Sequence, residues 1–160
     1  HIEELLAQNK TTGENHSPSM IEYTMLNMKR MKKWNKIASI RPSLSEKIQQ
    51  INEIQHWVVI SEGWCGDAAQ NLPIIAKVAA LNPNIQLQIV LRDEYPELIE
   101  QYLTNGAKSI PKLILLNANM SEEIGVWGPR PQPVQEMLYR QKAKDRGQTL
   151  QIELEELLAN

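Results

Sequence analysis

The chain has 160 residues, a formal net charge of -2, and 42% hydrophobic against 22% charged residues. That length and balance suit one globular core with some decoration, and the near-neutral charge removes the electrostatic case for nucleic acid or an anionic membrane as partner. No apolar run approaches the roughly 20 residues of a membrane span, and the single cysteine excludes an intrachain disulfide and fits a reducing compartment. Phe is absent, so the core has to be aliphatic, with Trp and Met filling its gaps. Residues 1–9 are acidic and lack the apolar run of a signal peptide, which makes a cytoplasmic location the expectation; a start at His1 rather than Met leaves a removed leader open.

Residues 1–56 read as a helical N-terminal extension. Ser17-Pro18 has the form of an N-cap with proline at the first helical position, and Met20, Tyr23, Met31 and Trp34 then share one face. Lys29, Arg30, Lys32, Lys33 and Lys36 occupy much of the remaining surface, as a solvated helix face does. Ser43 with Glu46 predicts a capping box opening another short helix. At Trp57 the pattern changes. Trp57-Val58-Val59-Ile60-Ser61 is a short β-branched run of the kind a buried strand needs.

A turn at Glu62-Gly63-Trp64 leads into a helix starting near Cys65 or Gly66, with Leu72, Ile75, Ala76 and Ala79 on one face and Pro73 inside it. Residues 85–91 read as a second strand, 96–105 as a helix capped by Gly106, 112–116 as a third strand and 123–127 as a fourth. After a breaker segment at 128–133, Val134, Met137, Leu138 and Gln141 begin a helix expected to stop at Gly147. Leu150, Leu154, Leu157 and Leu158 mark a last short helix. The first strand–helix–strand unit requires a right-handed crossover and a parallel pair, and the short turn at 117–121 makes the last two strands antiparallel. The division expected is an extension at 1–56 packed on the core, a core at 57–146 and a C-terminal helix at 147–160.

A cysteine where a strand gives way to a helix has a physical consequence. The first helical amides lack partners and point at the sulfur, and with the macrodipole they favour the thiolate. His1, His16 and His56 lie apart from this motif without metal spacing, so no metal is expected.

Trp64-Cys65-Gly66-Asp67-Ala68 resembles the thioredoxin motif W-C-G-P-C. Pro73 falls eight residues after the cysteine, where thioredoxins carry a helix proline, and Ser109-Ile110-Pro111 resembles the family's cis-proline segment. Element order extends the resemblance over about residues 55–146, and the helical extension with a W-C-G-D motif is similar to a decorated bacterial thioredoxin-like subfamily. The resemblance implies an α/β thioredoxin fold: a central mixed β-sheet flanked by helices, here with extra N-terminal and C-terminal helices. It makes Cys65 the attacking cysteine. It implies that Trp64, Gly66, Asp67, Ile110 and Pro111 form the substrate-binding surface, with the Ile110 backbone pairing with a bound peptide or glutathione and Pro111 as the cis-proline facing the sulfur.

Two departures follow from the same alignment of motifs. Ala68 stands where the resolving cysteine belongs, and Val59 where the family carries a buried acid. A mixed disulfide on Cys65 therefore needs an external thiol for release. The implied activity is that of a monothiol oxidoreductase acting on protein thiols or disulfides, with glutathione as co-substrate and no other cofactor. A non-catalytic peptide-binding module is the alternative, and a metal–sulfur cluster shared by two protomers through glutathione is a third. Helix-end amides are expected to pull the Cys65 pKa below that of a free thiol, while the Asp67 carboxylate pushes it back up. The sequence leaves the oligomeric state open.

Overall fold

The computed structural model describes residues 1–137 and 146–159. Three helices come first: α1 (Ile2–Ala7), α2 (Pro18–Ile37) and α3 (Pro42–Gln49). The order is then β1 (Gln55–Ser61), α4 (Gly66–Ala79), β2 (Ile85–Leu91), α5 (Pro96–Glu100), β3 (Lys112–Leu116), β4 (Glu123–Trp127), α6 (Gln132–Met137) and α7 (Arg146–Leu157). The strands form one sheet in the order β2-β1-β3-β4. The β1–β2 pair is parallel, with Trp57 opposite Leu87, and β3 runs antiparallel to both β1 and β4, with Val59 opposite Leu113. This is the α/β thioredoxin arrangement, a mixed sheet flanked by helices.

Strand alternation divides the core in two, because successive side chains leave opposite faces of the sheet. Trp57, Val59, Leu113 and Leu115 point to one face, under Leu44 and Ile48 of α3, Leu72 and Ile75 of α4, and Leu150 and Leu154 of α7. Ile60 and Ile114 point to the other, where they meet Ile99 of α5, Ile110 and Cys65. Trp57, in the middle of the first cluster, is fully buried, and its indole N–H donates to Gln55 Oε1 at 3.0 Å. Helix α4 lies between the sheet and α2 and is buried on most of its circumference; it continues through Pro73 as one element. Among the described residues no helix is long and apolar enough to cross a membrane.

Five local expectations are corrected. The stripe of Met20, Tyr23, Met31 and Trp34 is buried only in part: Met31 packs on the first core cluster and Trp34 donates to Gln70 of α4, but Tyr23 is 56% exposed, and the fully buried side chains of α2 are Thr24 and Asn27. Both are polar because both hold backbone or loop groups, as described below. The Ser43–Glu46 capping box does not form. Arg41 is the N-cap with Pro42 at the first position, and the Ser43 hydroxyl instead donates to Glu155 Oε1 of α7.

The helix expected over 96–105 ends at Glu100, because Asn105 and Gly106 (φ 50° and 78°) turn the chain back and Thr104 bridges to Ala107. An Asn-Gly pair is a stronger hairpin signal than a helix cap. Helix α6 begins at Gln132, inside the expected breaker, with Pro133 in its first turn. Its extension to Leu138 and Gln141 lies outside the described residues. Gly147 is not a stop but the second residue of α7, whose buried Leu150 and Leu154 anchor that helix against α3 and α4.

Candidate functional site

Cys65 is the N-cap of α4. The chain leaves β1 at Ser61, turns through Glu62-Gly63-Trp64, and closes the turn with a hydrogen bond from the Cys65 amide to the Glu62 carbonyl at 3.1 Å. The Ala68 N–H donates to Cys65 Sγ at 3.4 Å, which is the helix-end contact expected of a side chain at this position. The thiol donates to the Ile110 carbonyl, also at 3.4 Å. Residues 64–67 and 110–111, separated by more than forty positions, are thus brought to one place. Trp64 packs on the second core cluster, Gly66 and Asp67 are the first two residues of α4, and Pro111 is buried next to the acceptor. The Ile110–Pro111 and Gly128–Pro129 bonds are both cis.

The electrostatics reverse one expectation. Cys65 is only 8% exposed, and burial pushes its pKa above the ordinary value for a thiol. The Ala68 and Asp67 amides and the Arg130 charge pull the other way, and the Asp67 carboxylate adds to the rise. The helix-end effect is present but smaller than the desolvation of a sulfur set beneath the surface. At neutral pH the resting side chain is therefore the thiol.

Asp67 is itself held by an arginine. Nε and Nη2 of Arg130 both lie 2.8 Å from Asp67 Oδ2, and Arg130 Nη1 donates to Gln135. Removing the carboxylate charge in Asp67→Asn should shift the pH profile of Cys65 alkylation to lower pH, and Arg130→Gln should shift it to higher pH. A displacement of half to one unit changes the rate near neutrality by about three- to ten-fold in opposite directions. Alkylation rates measured from pH 6 to 10 test the signs; equal profiles would mean that the pair does not act on the sulfur.

The turn that carries Cys65 is fastened by the N-terminal helices. The Gly63 amide donates to Thr12 Oγ1 at 2.8 Å, and Asn27 Nδ2 donates to the Gly63 carbonyl at 3.1 Å. Thr24, one turn earlier on α2, shares a hydroxyl hydrogen bond with Thr11. This explains the buried polar side chains of α2: Asn27 satisfies the loop that carries the sulfur, and Thr24 holds Thr11, the neighbour of Thr12. Asn27→Ala leaves the Gly63 carbonyl without that donor and should cost about 1–2 kcal/mol in urea unfolding. An unchanged midpoint would show that water takes the donor's place.

Several residues at this site carry no strong local signal. Glu62 is 3% exposed; one carboxylate oxygen accepts from the Asp93 amide and the other has no hydrogen-bond partner among the described residues. Val59, at the place counted for a family acid, is buried in the apolar cluster. The Arg92 guanidinium lies 4.9 Å from the centre of the Trp64 ring, and Arg30 reaches Gly66 so closely that a Cβ there would sit 3.4 Å from its Nη1. Lys112, directly after Pro111, is buried; its ammonium donates to Thr104 Oγ1 and the Gly128 carbonyl, and burial pulls its pKa down. A carboxylate just after an apolar strand and a lysine opening one are the only hints that sequence offers for Glu62 and Lys112. The arginines arrive through tertiary folding alone.

Two solved structures share this architecture over 98% of the chain. One is a protein of unknown function from Pseudomonas aeruginosa, with a TM-score of 0.65, 22% identity and 88% of its own length covered. The other is an HIV epitope scaffold, with a TM-score of 0.63, 21% identity and 94% of its length covered. No curated protein matches the chain. The thioredoxin family model matches residues 13–146, beginning inside the N-terminal helical region that holds Gly63 and running through both cis-proline segments, and the chain belongs to the thioredoxin family.

Proposed function

We propose that the chain is a thioredoxin-like thiol redox protein in which Cys65 alone carries out thiol–disulfide exchange or (de)glutathionylation. The observation that supports this most is the placement of its sulfur, between the Ala68 amide at the start of α4 and the Ile110 carbonyl beside Pro111. The thiol gives up its proton, and the thiolate attacks one sulfur of a disulfide. A new S–S bond forms on Cys65 as the old one breaks, and the departing sulfur takes up a proton. Ala68 offers no second thiol, so an external one, glutathione or a protein thiol, has to release the product. A reducing compartment such as the cytoplasm supplies that thiol.

A second reading, a peptide-binding module without catalysis, draws on a specific observation: the thiol is buried and its pKa is raised. In that reading Cys65 is a contact, and the Ile110–Pro111 segment pairs with an extended chain.

The experiment is intact mass after exposure to oxidised glutathione. Wild type should gain one glutathione, reversible by a reducing thiol, and Cys65→Ser should gain none. Wild type that stays unmodified while still binding peptides would establish the second reading.

A further inference from the structure

A pocket of about 270 Å3 is lined by Glu14 and Asn15 from the loop before α2, by Arg92 and Asp93 after β2, and by Pro96, Ile99 and Lys108. Three observations connect its lining to the segments that hold the sulfur. Arg92 stacks on Trp64, the residue before Cys65. Ile99 packs in the same cluster as Cys65 and Ile110. Lys108 stands two residues before Ile110, whose carbonyl accepts the thiol proton. The loop that supplies Glu14 is seated here by Gly13: its φ of +75° suits glycine, and a Cβ on it would lie 2.7 Å from Asp93 Oδ2.

The lining carries both signs of charge. Arg92 is paired with Asp93 at 2.8 Å and Lys108 with Glu100 at 2.7 Å, so neither cation is a strong isolated field. Glu14 makes no ion pair among the described residues and shares the lining with the two cations. A dianion would meet Glu14 and Asp93, and a dication would meet Arg92 and Lys108. A molecule with one charge of each sign can meet lining charges of both signs. A volume of this order admits an amino acid or a short peptide.

We infer that this pocket binds a small zwitterion, its carboxylate toward Arg92 and Lys108 and its ammonium toward Glu14, and thereby selects amino-acid-like disulfides for Cys65. The selection of disulfides rests on the exchange reading above; the binding does not. In the exchange, Cys65 bonds to the nearer sulfur of the bound disulfide, the original S–S bond breaks, and the distal half leaves as a thiolate that takes up a proton. The disulfide is itself the oxidant, and no further electron acceptor enters.

The full chain is mixed with four disulfides that differ in charge: cystine, cystamine, dithiodipropionate and hydroxyethyl disulfide. Adduct formation is followed by intact mass, and each rate is divided by that of a small free thiol with the same disulfide. Cystine should exceed the other three by roughly ten-fold, and by less in high salt, as expected for two partly screened charge contacts. Glu14→Gln and Lys108→Gln should each lower the ratio of cystine to hydroxyethyl disulfide by roughly three-fold. In parallel, S-methylcysteine, which cannot exchange, is titrated into wild type and Cys65→Ser while backbone amides are followed by NMR. Both should show the same shifts at Glu14, Arg92 and Lys108.

Equal corrected rates for all four disulfides, or a fastest rate with cystamine or dithiodipropionate, would overturn the assignment. So would an absence of shifts with S-methylcysteine. Shifts without any adduct would leave the pocket standing and remove the exchange reading, whereas adducts without charge preference or shifts would do the reverse.

Discussion

Ala68→Cys should convert the stall at the mixed disulfide, expected of wild type under the proposed exchange, into turnover. Ala68 lies in the first turn of α4, is 3% exposed, and already touches the Cys65 sulfur through its amide. A thiol at this position has the spacing of a redox pair, three residues along one helical turn. Attack by a neighbouring group proceeds at an effective concentration of about 10⁵ M or more in well-aligned cases. The adduct expected of wild type with oxidised glutathione should therefore disappear. Disulfide reduction with a dithiol-recycling system should rise by at least about ten-fold, a small part of that advantage, since Val59 provides no acid for the second thiol. The substitution adds a sulfur to the β-carbon of a buried residue, a small-to-large change that should cost about 1–3 kcal/mol. Should the variant form its internal disulfide and still leave substrates untouched, substrate access rather than the missing thiol is limiting, and the binding-module reading prevails.

Gly128→Ala should be among the most damaging single substitutions in the chain. Gly128 has φ +120°, a conformation that L residues rarely adopt. A Cβ there would lie 2.2 Å from the Pro111 carbonyl oxygen and 3.2 Å from Lys112 Cα. Both are backbone atoms, so no side chain can rotate away. The loss should be about 3 kcal/mol or more, the range of backbone strain added to overpacking. Gly106→Ala is the comparison: it also has positive φ (+78°), but nothing lies within 4 Å of the added carbon, and about 1 kcal/mol is expected.

The consequences of Gly128→Ala reach the sulfur. The clash falls on Pro111, whose neighbour Ile110 accepts the Cys65 proton, and on the segment that carries Arg130 to Asp67. Chemical unfolding together with the pH profile of alkylation should show both effects. A cost equal to that of Gly106→Ala would mean that the two segments separate freely and do not brace the site.

Much of the fold follows from short-range pattern. The strands at 85–91, 112–116 and 123–127 lie where apolar alternation puts them, and so do the start of α4 next to Cys65 and the parallel and antiparallel pairings. Each of these depends on the order of apolar and turn residues over a handful of positions, which the chain displays directly. Proximity of residues 64–67 to Ile110 and Pro111 was legible through family resemblance, because motif and spacing together mark the two segments.

Other features depended on neighbours brought from far along the chain. The sign of the Cys65 shift is set by how deeply the sulfur lies, and no motif states a depth. Asn27 of α2 is buried because it meets a carbonyl 36 residues away, where periodicity alone favoured Tyr23. Ser43 abandons a local cap for Glu155 across 112 residues. Arg130 and Asp67 are 63 positions apart and meet only because β3, β4 and the Gly128 turn carry one to the other. Hydrophobic periodicity is a local property, and the sequence by itself determined the elements and their order. Desolvation and charge pairing sum over every group that folding brings near, so the acidity of the thiol and the partners of its flanking residues were decided by the tertiary structure.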